Sequence, residues 1–174
     1  MHPAALTLME HELQRVDWAF ASVLDVGSYD VNGTFRPLVS GMGWGYTGLD
    51  IRSGPNVDIV ASDAYAWPVA DETYDAVICG NMLHNTAEPW RLVPEMARVL
   101  KSGGLLVIVT HTWGKPPSGK HPIDAWRFMP DGMQVLFDLT GQLLSYETHE
   151  SGEQDIVASA FKIDKRNNKS EEGI

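Results

Sequence analysis

The chain has 174 residues, with hydrophobic and charged fractions of 44% and 21%, which are typical of one globular domain. We expect that domain to span residues 1–163, followed by a polar, disordered tail at 164–174. The net charge of −10 argues against a nucleic-acid partner, because acidic surfaces repel phosphates. No apolar run is long enough to cross a bilayer and the N-terminus lacks a signal pattern, so we expect a cytoplasmic protein with no membrane partner. The one cysteine, Cys79, excludes an internal disulfide.

Strand and helix patterns alternate along the chain. In order, the sequence predicts a helix over 6–21, strands over 23–26, 46–49, 57–60 and 74–80, a helix over 89–100, a strand over 105–110, a helix from Asp131 to Gly141, and strands over 143–148 and 154–163. Such alternation predicts an α/β fold with helices on both faces of the sheet. We therefore expect an open, mostly parallel, Rossmann-like sheet of seven strands that ends in an antiparallel hairpin.

Glycines and prolines mark the predicted helix ends. Pro89 suits the first turn of its helix, where no amide donor is needed, and Gly103-Gly104 is expected to stop that helix. Pro94 conflicts with the pattern, because proline removes a helical hydrogen bond and bends the axis. Asp131 is expected to be the N-cap of the later helix.

A glycine turn and an acidic strand end indicate a nucleoside site. The first predicted strand passes directly into Gly27, and the second ends at Asp50. This pairing is typical of open α/β sheets that bind an adenine nucleoside. Glycine lets the backbone approach the ligand closely, and the carboxylate accepts hydrogen bonds from the ribose hydroxyls.

Four segments, taken in order, resemble class I S-adenosylmethionine-dependent methyltransferases of the methyltransferase type 11 kind. LDVGSYDVNG is similar to their first motif and TGLD to the end of their second strand. Ser62-Asp63-Ala64 with Trp67-Pro68 is similar to the adenine-side loop, and YDAVICGNMLHN with EMARVLKSGGLLVIV to the fourth strand, helix and fifth strand. Two positions depart from the pattern: Tyr29 stands where a second glycine is expected, and Leu83-His84-Asn85 replaces a frequent Leu-Glu-His.

The resemblance implies S-adenosylmethionine as the cofactor. Asp25 and Asp30 would face its positive groups, Asp50 its ribose and Asp63 its adenine amino group. The residues expected to bind it are Asp25, Gly27, Ser28, Tyr29, Asp30, Asn32, Asp50, Ile51, Asp63, Ala64, Gly80, Asn81 and Met82. Each acid also has a structural alternative: Asp25 as a turn cap, Asp50 as the start of a loop, Asp63 as an N-cap, and Asp30 with Asn32 as turn formers.

Methyl transfer to a hydroxyl requires alignment and gains from a base that removes the proton. The candidates are His84, His111, His121 and Asp124, since histidine accepts protons near neutral pH. Family members often build the acceptor pocket from the segment that here reads HPIDAWRF, preceded by a lid-like loop at 114–119. Alternatively, His111, His121 and Asp124 could bind a metal, although we predict none. Trp126 and Phe128 could be core residues, with Arg127 paired to Asp124 or Asp131.

The sequence thus favours a methyltransferase that acts on a small-molecule acceptor such as a sugar or glycan precursor, with oxygen as the methylated atom. The first alternative is a non-catalytic subunit that binds S-adenosylmethionine or a partner chain. A nicotinamide enzyme is disfavoured, because no second parallel half follows the first. A homodimer is compatible with the sequence.

Overall fold

The computed structural model describes residues 3–117, 123–151 and 154–164. Its helices are α1 (Pro3–Leu13), α2 (Arg36–Gly41), α3 (Pro89–Val99) and α4 (Pro130–Asp138), with a short 3-10 turn at Leu83–Asn85. Its strands are β1 (Ser22–Val26), β2 (Gly45–Asp50), β3 (Ile59–Val60), β4 (Tyr74–Gly80), β5 (Leu100–His111), β6 (Leu143–Glu150) and β7 (Asp155–Lys162). None of the helices in these ranges combines the length and apolarity that a membrane crossing requires.

The strands form one mixed sheet in the order β3-β2-β1-β4-β5-β7-β6. Pairs from β3 to β5 are parallel, and β7 is antiparallel to both β5 and β6. This confirms the predicted α/β class, the seven strands and the terminal hairpin. The strand order reverses between β1 and β4, and in such sheets the crevice at that reversal, beyond the carboxyl ends, is where ligands bind.

Each face of the sheet packs against its own pair of helices. On β4, Ala76 and Ile78 pack with α1 and α2, whereas Val77 and Cys79 pack with α3 and α4. The central part of β5, residues 105–111, is buried throughout. Burial of this apolar surface is the main force that holds the layers together, and it fixes the carboxyl ends of β1, β4 and β5 side by side.

The first helix is shorter than predicted. Met9 and Leu13 are fully buried, but α1 ends at Leu13 and Phe20, expected on the same stripe, is 66% exposed. The reason is a polar cluster beyond the helix end. Arg15 donates hydrogen bonds to Glu12 and to Ser159 at 2.6 and 2.9 Å, and these contacts with β7 draw the chain out of the helical path.

The predicted stop of α3 at Gly103-Gly104 is wrong, because α3 ends at Val99 and both glycines lie in β5. The helix end is held by Lys162, whose buried ammonium donates to the carbonyls of Ala97 and Leu100, each at 2.7 Å. A cation at a helix C-terminus satisfies carbonyls that lack helical partners. Pro94 lies inside the helix, and the bend expected there stays a prediction.

Smaller differences concern α4, α2 and β3. Met129, not Asp131, is the N-cap of α4. Asp131 lies in the first turn of α4, where a negative charge interacts favourably with the helix dipole. Gly141 follows the end of α4 in a left-handed conformation at φ 60°. The six-residue α2 was not predicted, and β3 has two residues instead of four. Of the expected disordered tail, residues 165–174 lie outside the described residues.

Candidate active site

A cavity of about 800 Å³ opens at the carboxyl ends of β1, β2 and β4. Most of the expected site residues line it: Asp25, Gly27, Ser28, Tyr29, Asn32, Asp50, Ile51, Ala64, Gly80, Asn81, Met82, His84 and His111. Asp30, Asp63 and Asp124 are not among its described lining residues, and His121 lies outside the described part of the chain.

Gly27 and Asp50 lie side by side at one end of this cavity. The amide of Gly27 donates to the carbonyl of Leu49 at 2.8 Å, which fixes the turn after β1 against the end of β2. Gly27 has a φ of +78°, and a Cβ added there would lie 2.5 Å from Cγ of Met82. Only glycine satisfies both constraints without strain, so the turn keeps its backbone close to the cavity.

The carboxylate of Asp50 is held in one orientation. One oxygen accepts from the Tyr29 amide at 3.3 Å and the other from the Arg52 amide at 2.9 Å. The residue is only 9% exposed, and it still lines the cavity. Two amide donors leave further lone pairs on the carboxylate, and these can accept hydrogen bonds from the hydroxyl groups of a ligand.

Tyr29, the departure from the family pattern, lies against the next loop. A Cβ at Gly54 would stand 2.3 Å from Cε2 of Tyr29, so the ring packs directly on that glycine. The guanidinium of Arg52 lies 4.3 Å from the ring centroid, within cation–π range. The ring is therefore placed on the 52–54 loop while it lines the cavity, and glycine is not required at this position.

Asp25 is a buried acid at the floor of the cavity, only 3% exposed. The hydroxyl of Tyr46 donates to it at 2.5 Å. Burial raises the pKa of Asp25 to about 7, although Tyr46 and Arg36 favour the charged form. Its charge therefore changes near neutral pH and responds to any cation bound beside it.

Asp30 and Asp63 form local turns instead of facing the cavity. Asp30 accepts from the Gly33 amide at 2.7 Å, and Asp63 accepts from the Tyr65 amide at 2.8 Å. These are side chain-to-backbone turns of the kind that aspartate favours. The structure thus favours the turn-forming interpretation for both acids over direct contact with a ligand.

Two asparagines present unused acceptors to the cavity. Asn81, in a left-handed conformation at φ 54°, and Asn85 each have a buried side-chain oxygen with no hydrogen-bond partner among the described residues. Both residues line the cavity. Buried polar atoms are rarely left unpaired, so these oxygens fit a ligand with hydrogen-bond donors, such as an α-amino or adenine amino group. Asn85 was missed in the sequence because asparagine there also suits a turn.

Two buried histidines stack at the other end of the cavity. The rings of His84 and His111 have centroids 3.6 Å apart and planes 16° apart. Nδ1 of His84 lies 3.3 Å from Oγ1 of Thr110. Burial lowers the pKa of His84 to about 3, and it also lowers the pKa of His111. Both rings are therefore uncharged near neutral pH, but a pKa of about 3 makes His84 a weak base.

Asp124 approaches these histidines while it is paired to Arg127. Ligand-type atoms of His84, His111 and Asp124 lie within 4.8 Å of one another, a spacing that a metal site could use. However, stacked rings direct their in-plane lone pairs side by side, and both carboxylate oxygens already accept from Arg127. This arrangement favours acid–base chemistry over metal binding.

Residues 123–128 pack beside this end of the cavity, where the Ala125 amide donates to the carbonyl of His84 at 2.9 Å. Nε1 of Trp126 donates to the carbonyl of Thr86 at 2.8 Å, and Phe128 is a buried core residue. Ile123 lines the cavity. Gly80 leaves room for the ring of Phe35, because a Cβ at this position would lie 2.1 Å from that ring.

Part of the chain is similar to known methyltransferases. Residues 24–108 match the methyltransferase domain family. The chain is 46% identical over 57 residues to demethylmenaquinone methyltransferase from Renibacterium salmoninarum, a match to 33% of this chain and 24% of that protein. An uncharacterized methyltransferase of Mycobacterium bovis is 32% identical over 109 residues, covering 56% and 42% of the two chains. The matches thus span less than half the length of these relatives.

A solved structure extends the likeness to nearly the whole chain. It is a SAM dependent methyltransferase from Aquifex aeolicus, with a TM-score of 0.68 and 17% identity, and the alignment covers 94% of this chain and 100% of that one. At this identity the likeness establishes the fold. The resemblance seen in the sequence is confirmed to this extent: residues 24–108 match a methyltransferase domain, the fold is that of S-adenosylmethionine-dependent methyltransferases, and S-adenosylmethionine is the cofactor that these similarities imply.

Proposed function

We propose that this protein is an S-adenosylmethionine-dependent methyltransferase that methylates a hydroxyl of a small polar acceptor, such as a sugar or glycan precursor. The observation that supports this most strongly is one cavity with two chemically different ends. One end has the Gly27 turn and the fixed Asp50 carboxylate, and the other has two neutral imidazoles.

The first end suits the cofactor. Asp50 would accept the ribose hydroxyls, the Gly27 turn would face the methionine part, and Asn81 would accept from an amino group. Asp25 would stay ionised beside a positively charged ligand, because an adjacent cation favours the carboxylate. When bound, S-adenosylmethionine would supply a methyl group attached to a positively charged sulfur. The acceptor oxygen would bond to the methyl carbon as the carbon–sulfur bond breaks, and S-adenosylhomocysteine would leave.

The second end suits a hydroxyl acceptor. The neutral imidazole of His111 would take the proton of the hydroxyl, since the low pKa of His84 makes that ring a weak base. Asn85 would accept a hydrogen bond from another hydroxyl. Most of the rate enhancement would come from holding the acceptor in line, with the base adding to it. The polar side chains at this end favour a polyhydroxyl acceptor. The quinone-related relative does not define the acceptor, because its match covers only 33% of this chain.

Calorimetric titration with S-adenosylhomocysteine and with NAD tests the cofactor assignment. We expect the first to bind and the second not to. Asp50→Ala should weaken binding at least about tenfold, as expected for the loss of a charge-assisted contact of roughly 1.5–3 kcal/mol. Asp138→Ala, which removes one exposed acid in α4, is the matched control and should bind normally. Equal affinity of the two variants would refute the role of Asp50.

A screen of hydroxyl-bearing acceptors with a labelled methyl donor then tests turnover. Transfer of label to a sugar or sugar precursor supports the proposal. Tight binding of S-adenosylhomocysteine without transfer to any acceptor would support the alternative of a non-catalytic cofactor-binding subunit.

A further inference from the structure

A buried carboxylate that sequence analysis did not single out lies beside His111. Asp155 begins β7 and is paired directly with His111 in the antiparallel register between β5 and β7. Oδ1 of Asp155 lies 3.9 Å from Nε2 of His111. Asp155 is 0% exposed and His111 is 2% exposed, so no bulk water separates the two groups from each other.

Each of these groups has a buried polar atom that makes no hydrogen bond, although Oδ1 of Asp155 is ion-paired with Lys115. Nδ1 of His111 and Oδ1 of Asp155 are buried without a hydrogen-bond partner among the described residues. A neutral imidazole has one nitrogen that donates and one that accepts. The nitrogen that faces a carboxylate is the one that donates, which leaves the other as the acceptor.

We propose that Asp155 is a positioning residue that holds His111 with its ring proton on Nε2, so that Nδ1 is the atom that receives the acceptor's proton. This inference rests on the proposed function, since it assigns the base to His111. The present 3.9 Å separation would shorten into a hydrogen bond when the site is loaded, as catalytic hydrogen bonds often do.

Lys115 forms an ion pair with the proposed positioning carboxylate. Its ammonium lies 3.1 Å from Oδ1 of Asp155 and donates to Oδ2 at 3.2 Å. The backbone of Asp155 is also fixed, because its amide donates to Oγ of Ser151 at 3.2 Å and its carbonyl accepts from the Ser151 amide at 2.7 Å. A carboxylate held this firmly can orient a neighbouring ring.

Besides Asp155, groups from three other segments of the chain surround His111. Asp124 and Arg127 belong to the segment before α4, Lys115 to the loop after β5, and the neutral ring of His84 stacks on His111 from the 3-10 turn. Asp155 and Asp124 favour the imidazolium, whereas Lys115 and Arg127 oppose it. Asp155 and Lys115 thus act on the His111 pKa in opposite directions, so the readout that isolates positioning is the ring nitrogen that carries the proton.

The test is a ¹⁵N NMR titration of the histidines, with the His111 signals assigned through His111→Gln. In the unaltered protein, we expect neutral His111 to have its proton on Nε2. Asp155→Asn should lower the pKa of His111 by about one pH unit and shift the proton toward Nδ1, since the stabilising charge is gone. Lys115→Gln, which keeps a donor but removes the opposing charge, should raise that pKa.

The tautomer decides the test, because two opposite charges near His111 would shift its pKa in opposite directions even if neither positioned the ring. A proton on Nε2 that moves toward Nδ1 in Asp155→Asn, but stays on Nε2 in Lys115→Gln, supports the proposal. A proton on Nδ1 in the unaltered protein, a proton that stays on Nε2 in Asp155→Asn, or the same movement in both variants would overturn it. The measurement needs no acceptor, so its failure is distinct from a failure to find methyl transfer.

Discussion

Replacement of Gly27 by alanine tests whether the turn after β1 is as tightly confined as the geometry indicates. At φ +78°, a Cβ would lie 2.5 Å from Cγ and 2.8 Å from Cβ of Met82. These are the inner atoms of the Met82 side chain, so rotation of its end cannot relieve the contact. The substitution should therefore destabilise the fold in two ways, through strain in the left-handed backbone and through the clash with Met82.

Gly43 provides a control in which alanine would add only the backbone strain. Its φ is +75°, and nothing lies within 4 Å of a Cβ added there. A left-handed conformation costs an L-residue about 1–2 kcal/mol, so Gly43→Ala should destabilise by about that amount. Gly27→Ala should lose a further 1–3 kcal/mol, roughly the range for overpacking.

Urea denaturation of both variants measures the free energy of unfolding, and calorimetry measures the affinity for S-adenosylhomocysteine. We expect Gly43→Ala to bind as the unaltered protein does and Gly27→Ala to bind more weakly, because displaced Met82 lines the cavity. Additional replacement of Met82 by alanine should restore part of the affinity. Equal free-energy losses in the two glycine variants would refute the close approach of Met82.

Two further predictions concern buried charges. Lys162→Met should destabilise the fold by about 1–3 kcal/mol in urea denaturation, because the carbonyls of Ala97 and Leu100 lose their donor; unchanged stability would show that the ammonium contributes nothing net. The raised pKa of Asp25, about 7 against an ordinary 3.8, means that its contribution to stability is fully present below pH 4 and is lost as pH rises through 7. Asp25→Asn should therefore gain stability over the unaltered protein between pH 5 and 8, by up to about 4 kcal/mol, and a constant difference across that range would contradict the burial argument.

Elements governed by local patterns were predictable. The strand over 74–80 was predicted with its observed bounds, because an apolar run lay between polar residues. The positions of Gly27 and Asp50 followed from strand ends, which a parallel sheet brings to one edge. The sequence identified Tyr29 as a departure from the family pattern. Its packing on Gly54 was not predictable, because it depends on a loop that the motif does not describe.

Features that depend on contacts far apart in sequence were not predictable. The early end of α1 depends on Arg15 meeting Ser159, 144 residues away. The cap on α3 comes from Lys162, 65 residues beyond Ala97. The pairing of Asp155 with His111 needs the register of β7 against β5, which a one-residue slip would reverse. Local periodicity contains no information on any of these contacts.

The unbroken path from α3 into β5 has a consequence for redesign. β5 begins at the residue after the helix and continues for 12 residues, and its residues 105–109 pair with both β4 and β7, so the sheet holds the position of His111. Residues 123–129, by contrast, have no helix or strand to constrain them. On the proposed function, variation of this stretch should change which acceptor is methylated while the sheet keeps the His111 ring in place.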